Sequence, residues 1–196
     1  MSRAVFFDRD GVINPPVYNA KTSEYESPHH PEDFSIYPAV LKALKELKEQ
    51  GYNLFIVSNQ PSYAKGKTSL ENIQAVEQLL EDFMNENGKL IDRYYYCYHH
   101  PDGVVPEYSG SCKCRKPGTL FPEEAMSQFK LSAENCWFVG DRDTDVLCGK
   151  AMGMHTILIK NKHSANKAGK SAPDEYASGI YEAAQIIING GKENEF

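Results

Sequence analysis

Apolar and polar positions along the chain alternate between two periods, one typical of buried strands and one typical of amphipathic helices. Nearly continuous apolar runs at Ala4–Phe7 and Asn53–Val57 predict strands buried on both faces. Apolar residues three or four positions apart predict helices over Val40–Gln50 and over Ser69–Asn85, with Ser69 as the N-cap. The same two patterns predict further strands at Tyr94–Tyr98, Cys136–Val139 and His155–Ile159, and further helices at Leu120–Phe129, Thr144–Met152 and Gly179–Ile188.

This alternation of strands and helices predicts an α/β fold with a doubly wound, mostly parallel, Rossmann-like sheet and helices on both faces. Functional residues of such sheets lie beyond the carboxyl ends of the strands. Three polar segments follow predicted strands directly: Asp8–Asp10, Ser58–Gln60 and Gly140–Asp145. The connection Pro15–Glu32 is unusually long for a loop between a strand and a helix.

Length and composition limit the class of protein. The 196 residues suffice for one domain, which we expect to span residues 1–196, and the hydrophobic fraction of 41% is ordinary for a globular protein. A formal net charge of −6 argues against nucleic acid as a partner. Neither a signal peptide nor a membrane-spanning run is evident, so we expect a cytoplasmic monomer without a membrane partner.

The first polar segment places two carboxylates at the end of a strand. Asp8 and Asp10 point the same way because strand side chains alternate, and Gly11 permits a sharp turn after them. Together with Asp141 they suit a nucleophile, an acid/base group and Mg²⁺ for phosphoryl transfer. The alternative is structural, with Asp10-Gly11 as a simple turn and Asp141 as a helix N-cap.

Candidate phosphate-binding groups lie in two further loops. Ser58 offers a hydroxyl at the end of a strand, although serine is also common in ordinary loops. Lys116 would act as a point charge on phosphate, and Arg115 would clamp a second anionic group. The alternative for this basic pair is a solvated surface loop.

A zinc-binding loop is predicted over residues 97–116. Cys97, His99, Cys112 and Cys114 form the pattern C-x-H-x12-C-x-C, a closed set of three thiolates and one imidazole typical of structural zinc. His100 is a second candidate for the imidazole, although His99 gives the tighter spacing. The two remaining cysteines lie in a predicted strand and a predicted helix, where we expect them in the core: Cys136 and Cys148.

These segments together resemble the haloacid-dehalogenase-like phosphohydrolases, whose four motifs have counterparts at Asp8/Asp10, Ser58, Lys116 and Gly140–Asp145. Within that family the chain is most similar to the heptose bisphosphate phosphatases and the related histidinol-phosphatases. That closer resemblance rests on Asp8–Asn14, Ser58–Gln60, Cys97–Pro101 and Cys112–Pro117.

The resemblance implies a role for each matching residue and the absence of a separate cap domain. It makes Asp8 the nucleophile and Asp10 the acid/base, with Ser58 and Lys116 stabilising the phosphoryl group. Catalytic Mg²⁺ would be held by Asp8, Asp10 and Asp141. The implied substrate-binding residues are Asn59, Gln60, Arg115 and Arg142, and the implied ligands of structural Zn²⁺ are Cys97, His99, Cys112 and Cys114.

The resemblance therefore implies a Mg²⁺-dependent phosphatase acting on a small phosphorylated metabolite through an aspartyl-phosphate. The substrate it favours is D-glycero-D-manno-heptose 1,7-bisphosphate, converted to the heptose monophosphate. Histidinol-phosphate or another sugar phosphate is the alternative within this class, because Pro15–Glu32 and Pro61–Tyr63 depart from the family pattern. An alternative of another class is a zinc-stabilised binding module with a vestigial site.

Overall fold

A six-stranded parallel sheet forms the centre of the computed structural model, which describes residues 2–164, 169 and 171–193, and its strand order is β5-β4-β1-β6-β7-β8. A separate antiparallel pair is formed by β2 and β3. The strands are β1 (Ser2–Phe7), β2 (Val17–Asn19), β3 (Glu24–Glu26), β4 (Asn53–Asn59), β5 (Arg93–Cys97), β6 (Leu131–Gly140), β7 (His155–Ile159) and β8 (Glu175–Ala177). The α-helices are α1 (Val40–Glu49), α2 (Leu70–Glu86), α3 (Leu120–Phe129), α4 (Asp143–Ala151) and α5 (Ile180–Glu193).

Successive residues of β1 face opposite sides of the sheet, and each side is covered by helices. Val5 and Phe7 belong to a buried cluster that includes residues of α1, α2 and α5. Ala4 and Phe6 belong to a second cluster that includes residues of α3 and α4. This arrangement confirms the prediction of a doubly wound α/β sheet with helices on both faces.

The predicted helix boundaries have local causes. Ser69 caps α2, its side-chain oxygen accepting a hydrogen bond from the backbone N–H of Asn72 at 3.2 Å. Gly51 follows α1 with a φ of +80°, a conformation that terminates helices and favours glycine. Both boundaries were predicted from the sequence and are confirmed.

The strand register brings three polar segments to one edge of the sheet. Phe7 at the end of β1 pairs with Ile56 of β4 and with Val139 of β6. Asp8 therefore lies level with Gly140, the last residue of β6, and with Val57, just before Ser58 and two residues before the end of β4. On the other side of β4, Asn59 pairs with Cys97, which places the start of the predicted zinc loop at the same edge.

Some elements were not predicted. The long connection contains the hairpin formed by β2 and β3, β8 adds an edge strand, and β6 begins at Leu131, five residues before the predicted start at Cys136. These short segments lack the apolar alternation that marks buried strands, so only tertiary contacts reveal them. The hairpin lies in the connection between β1 and α1, and no larger folded insertion interrupts that connection among the described residues.

Two further expectations concern the core and the membrane. Cys136 and Cys148 are fully buried, as predicted. Among the described helices, none is both long enough and apolar enough to cross a lipid bilayer.

Candidate active site

Asp8 lies at the centre of the site and is held by the backbone of two strands. Its backbone N–H donates to the carbonyl oxygen of Val139 at 2.9 Å, which continues the pairing of β1 with β6. Its carboxylate Oδ1 accepts a hydrogen bond from the backbone N–H of Arg9 at 2.7 Å and lies 2.9 Å from Lys116 Nζ. The side chain of Asp8 is therefore oriented and only 5% of the residue is exposed.

Lys116 supplies a fully buried positive charge beside Asp8. Its Nζ lies 2.9 Å from Asp8 Oδ1 and 2.7 Å from Asp145 Oδ1, and it donates to the carbonyl oxygen of Val57 at 2.6 Å. Burial alone would lower the pKa of this amine, but Asp145 and Asp8 raise it, so the ammonium stays charged. Asn59 fixes the backbone here, because its side-chain amide exchanges hydrogen bonds with the N–H and the carbonyl of Lys116.

Three buried carboxylates converge next to this lysine. Asp8, Asp141 and Asp145 each present an oxygen, and these oxygens lie within 4.8 Å of one another. Asp141 Oδ1 is buried without a hydrogen-bond partner among the described residues. Burial, together with the charges of Asp8 and Asp145, raises the pKa of Asp141 to about 7. An oxygen-ligated divalent cation fits this cluster, because it would remove the repulsion and supply the missing partner.

Gly11 leaves the space in which Asp141 lies. A Cβ atom at residue 11 would stand 2.1 Å from Asp141 Oδ2, and the φ of Gly11 is +86°. We expect Gly11→Ala to lower the free energy of unfolding by about 1–3 kcal/mol through backbone strain, and further through displacement of Asp141. The matched control is Gly51→Ala, which has a φ of +80° and nothing within 4 Å of the added Cβ. Equal losses for the two variants, measured by urea unfolding, would show that Asp141 is not displaced.

The raised pKa of Asp141 predicts a pH-dependent stability. The usual carboxyl pKa is 3.8 and the folded value is about 7, so between these pH values the native state binds more protons than the unfolded chain. Stability in the absence of metal should therefore fall as the pH rises from about 4 to 7. Mg²⁺ should abolish this part of the slope by stabilising the carboxylate, as measured by thermal unfolding at several pH values.

A second buried carboxyl group changes stability in the same direction. Burial raises the pKa of Glu77 to about 7 as well, and this side chain lies outside the three-carboxylate cluster. Asp141→Asn separates the two contributions: the variant should keep the slope due to Glu77 and lose its response to Mg²⁺. A response of Asp141→Asn to Mg²⁺ equal to that of the wild type would contradict the assignment.

Asp10 points into a different set of partners. Its Oδ1 accepts hydrogen bonds from Arg9 Nη2 at 3.0 Å and Asn14 Nδ2 at 2.9 Å. Its Oδ2 accepts from Ser27 Oγ at 2.6 Å and Gln60 Nε2 at 2.7 Å. Burial alone would raise the pKa of Asp10, but Arg9 and these hydrogen bonds lower it to about 2. The resting side chain of Asp10 is thus a carboxylate, and it lies outside the cluster formed by Asp8, Asp141 and Asp145.

The site opens to solvent through a cleft of about 190 Å³. The predicted substrate-binding residues Asn59, Arg115 and Arg142 line it beside the carboxylates. Ser58 and Gln60 are instead each 1% exposed, and Gln60 Nε2 donates to Ser58 Oγ at 3.0 Å behind Asp10. The structure therefore brings most of the predicted site residues to the cleft and places these two beneath it.

The predicted zinc ligands lie together at the side of the cleft. The sulfur atoms of Cys97, Cys112 and Cys114 lie 3.2–3.6 Å apart, and His99 Nδ1 lies 3.5 Å from Cys114 Sγ. A tetrahedral site with Zn–S bonds of about 2.3 Å has edges of about 3.8 Å, close to these separations. Three thiols and an imidazole in this arrangement fit a zinc ion.

The structure separates the two candidate histidines. His99 turns its Nδ1 into the cysteine group, whereas His100 Nδ1 accepts a hydrogen bond from the backbone N–H of Asp102 at 3.1 Å. The cysteine group also reaches the cleft directly, because Cys114 is followed by Arg115 and Lys116. Arg115 Nη1 in turn donates to the carbonyl oxygen of His99 at 3.2 Å.

Several residues of the site carry no role in the sequence-based prediction. Asp145 belongs to the Gly140–Asp145 motif, and its position in the first turn of α4, four residues after Asp141, is the signal that it shares the site. Asn14 belongs to the Asp8–Asn14 motif, which gave it no role of its own. Ser27 left no signal, because it reaches Asp10 only through the fold of the unpredicted hairpin.

Comparison with protein families and related sequences gives consistent matches. Residues 5–88 match the model of the haloacid dehalogenase-like hydrolases, and residues 113–183 match a model of HAD-hydrolase-like proteins. The chain is 31% identical over 171 residues to the D-glycero-alpha-D-manno-heptose-1,7-bisphosphate 7-phosphatase of Photorhabdus laumondii, covering 87% of this chain and 89% of that one. It is 32% identical over 186 residues to the D-glycero-beta-D-manno-heptose-1,7-bisphosphate 7-phosphatase of Vibrio cholerae, covering 94% and 96%.

Solved structures show the same fold. The D,D-heptose 1,7-bisphosphate phosphatase from B. bronchiseptica, complexed with magnesium and phosphate, superposes with a TM-score of 0.76 at 18% identity. The match covers 96% of this chain and 99% of that chain. A HAD-like phosphatase structure from Mesorhizobium loti gives the same TM-score at 24% identity and covers 96% and 87%. At these identities the two structures establish a shared architecture.

Proposed function

This chain belongs to the haloacid dehalogenase-like hydrolase family, and from that premise we propose that it is a magnesium-dependent phosphomonoesterase with Asp8 as its nucleophile. The observation that carries the proposal is the environment of Asp8. Its carboxylate is oriented by Lys116 and stands among the carboxylates of Asp141 and Asp145 at the floor of an open cleft. Such a group can attack a phosphoryl centre in a site rich in positive charge once a cation is bound.

The reaction proceeds in two displacements. An oxygen of Asp8 forms a bond to phosphorus while the bond from phosphorus to the ester oxygen breaks, and Asp10 gives a proton to the departing oxygen. A water molecule then attacks the phosphorus of the aspartyl-phosphate and passes a proton to Asp10, which releases inorganic phosphate and restores Asp8. Asp10 is a carboxylate at rest, and the negative charge of an arriving phosphate ester raises its pKa toward the protonated form.

Magnesium would be held by side-chain oxygens of Asp8 and Asp141 and by the backbone carbonyl of Asp10. Asp141 Oδ1 supports this placement, because it accepts no hydrogen bond from the described residues and faces Arg142 Nε only at 3.7 Å, and Asp145 adds a carboxylate next to it. When bound, Mg²⁺ supplies electrostatic stabilisation of the charge on the transferring phosphoryl group. Lys116 supplies a second positive charge, in contact with Asp8 and Asp145.

Zinc would be bound by Cys97, His99, Cys112 and Cys114 and would serve the structure of the loop. Four protein ligands leave no open coordination position, so this ion takes no part in the displacement. The loop places Arg115 at the cleft. We include in this proposal that residues 1–196 act as one catalytic domain.

The proposed substrate is D-glycero-D-manno-heptose 1,7-bisphosphate, from which the 7-phosphate is removed. The names of the relatives support it, since the P. laumondii and V. cholerae proteins are both 7-phosphatases of this sugar. Their names specify opposite anomers, so the proposal extends to both. Arg115 and Arg142 line the cleft beyond the carboxylates and suit the second phosphate of a bisphosphate.

Steady-state assays test the proposal in two stages. The purified protein should hydrolyse p-nitrophenyl phosphate with Mg²⁺ and lose that activity in excess chelator. No hydrolysis in either condition would contradict the phosphatase proposal and favour the alternative of a zinc-stabilised binding module. The α and β anomers of the heptose bisphosphate are then compared with histidinol phosphate. A kcat/KM for either anomer at least about tenfold above that for histidinol phosphate supports the sugar assignment, and the reverse order overturns it.

A further inference from the structure

Arg9, between the two motif aspartates, has the largest side chain among the fully buried residues that the structure describes. A guanidinium enclosed in this way loses its hydration and is retained only where specific partners compensate. Its Nε and Nη2 donate to Asp10 Oδ1 at 3.2 and 3.0 Å. Because Arg9 is 0% exposed, it does not reach the cleft or a substrate in it.

Arg9 also determines how the side-chain amide of Gln60 is oriented. Its Nη2 donates to Gln60 Oε1 at 2.9 Å, and a guanidinium can only donate. The oxygen of Gln60 must therefore face Arg9, which turns its NH₂ group toward Asp10 Oδ2 at 2.7 Å and Ser58 Oγ at 3.0 Å. Reversal of this amide would bring Nε2 against the guanidinium and Oε1 against the carboxylate of Asp10.

A second acidic residue, the buried Glu77 of α2, also acts on Arg9. Its charge favours the charged guanidinium, although less than the charge of Asp10 does. Glu77 is 6% exposed, and its Oε2 accepts a hydrogen bond from the hydroxyl of Tyr98 at 2.7 Å. The remaining nitrogen, Nη1, is buried without a hydrogen-bond partner among the described residues, and the hydrogen bonds of the Nε and Nη2 edge go to Asp10 and Gln60.

We propose that Arg9 is a positioning residue, which fixes the carboxylate of Asp10 and the amide of Gln60 for proton transfer without touching the substrate. This inference rests on the proposed function, because it concerns the acid/base step of that reaction. Because the hydrogen bonds of the guanidinium to described residues go to Asp10 and Gln60, its effect on turnover should pass through these two side chains, and mainly through Asp10, which transfers the proton.

The test is a double-mutant cycle between residues 9 and 10, with p-nitrophenyl phosphate and Mg²⁺. Arg9→Lys keeps the positive charge but loses the planar guanidinium, which donates hydrogen bonds to Asp10 and Gln60 at the same time. We expect it to lower kcat about 10- to 100-fold, less than the roughly 10²- to 10⁴-fold that complete loss of an acid/base group costs, and to leave KM within about twofold. In the Asp10→Asn background the same substitution should change kcat less than about threefold, because Asp10 no longer transfers a proton.

Two further variants keep the test interpretable. Arg93→Lys replaces an exposed arginine on β5, whose Nη1 donates to Gln128 Oε1, and should leave kcat unchanged. Should Arg9→Lys fail to fold, the comparison is made between Asp10→Asn and Arg9→Met/Asp10→Asn, which removes both buried charges. The proposal predicts a kcat within about threefold for this pair as well.

Three outcomes would overturn the inference. A wild-type kcat in Arg9→Lys would show that the guanidinium hydrogen bonds to Asp10 and Gln60 are dispensable. An equal loss in both backgrounds, or a further large loss in Arg9→Met/Asp10→Asn, would show a general structural role. Absence of hydrolysis by the wild type would overturn the proposed function and this inference with it. If the wild type is active, an unchanged kcat in Arg9→Lys or a large loss in the Asp10→Asn background overturns the inference alone.

Discussion

Asp8→Asn should abolish turnover of every phosphate ester, with a fall in kcat of about 10⁴-fold or more. An amide oxygen is a poor nucleophile, and the substitution removes the group on which the aspartyl-phosphate forms. The asparagine side chain has nearly the same shape as that of Asp8, so it can keep the hydrogen bond from the backbone N–H of Arg9. Steady-state hydrolysis of p-nitrophenyl phosphate measures the loss, and mass spectrometry of acid-quenched protein checks that no phosphoryl group is attached.

The fold of this variant should survive. Lys116 keeps its contact with Asp145, and removal of one of three crowded carboxylates relieves repulsion in the absence of metal. The melting temperature of Asp8→Asn should therefore equal or exceed that of the wild type in chelator. Asp33→Asn, at an exposed position, is the control and should retain full activity. Activity of Asp8→Asn within tenfold of the wild type would refute the nucleophile assignment.

Cys112→Ser should remove zinc and destabilise the protein by about 4 kcal/mol or more, the range reached when a metal site is lost. For a chain of this size that corresponds to roughly 10 °C in melting temperature. The cause is the loss of one thiolate from a set of four ligands, which leaves the buried thiols of Cys97 and Cys114 without a cation. Burial raises the pKa of both, so neither forms a thiolate readily in the absence of metal.

Metal analysis by mass spectrometry provides the direct measurement. The wild type purified with zinc present should carry one zinc per chain, and Cys112→Ser should carry less than about a tenth of that. Cys136→Ala is the matched control, because Cys136 is buried in the core outside the cysteine group and its loss should leave the zinc content unchanged. Zinc-free wild-type protein under these conditions would contradict the zinc assignment.

Much of the fold was predictable because its causes are local. The apolar runs around Phe7 and Phe55 mark central strands, since both faces of a parallel sheet are covered and little alternation remains. The helices follow from their periodicity. The hairpin of β2 and β3 and the edge strand β8 were not predictable, because three-residue strands gain their stability from backbone pairing with segments distant in sequence.

The candidate site divides in the same way. Asp8 and Asp141 directly follow strands and Ser58 lies one residue before the end of β4, and parallel strands carry such residues to one edge whatever the details of the packing. Whether a side chain there faces the cleft depends on its neighbours. Gln60 and Ser58 lie beneath Asp10, whereas Arg142, which also comes just after a strand, lines the opening.

The amino-acid sequence by itself determined the doubly wound sheet, the edge at which the candidate site residues lie, and the three cysteines and one histidine proposed to ligate zinc. These follow from periodicity and from spacing within short segments, which favoured His99 over His100. Only the tertiary structure decided that Asp145 joins Asp8 beside Lys116. The burial of Arg9 beside Asp10 was likewise decided by the tertiary structure, because burial and hydrogen bonding depend on which distant segments surround a side chain.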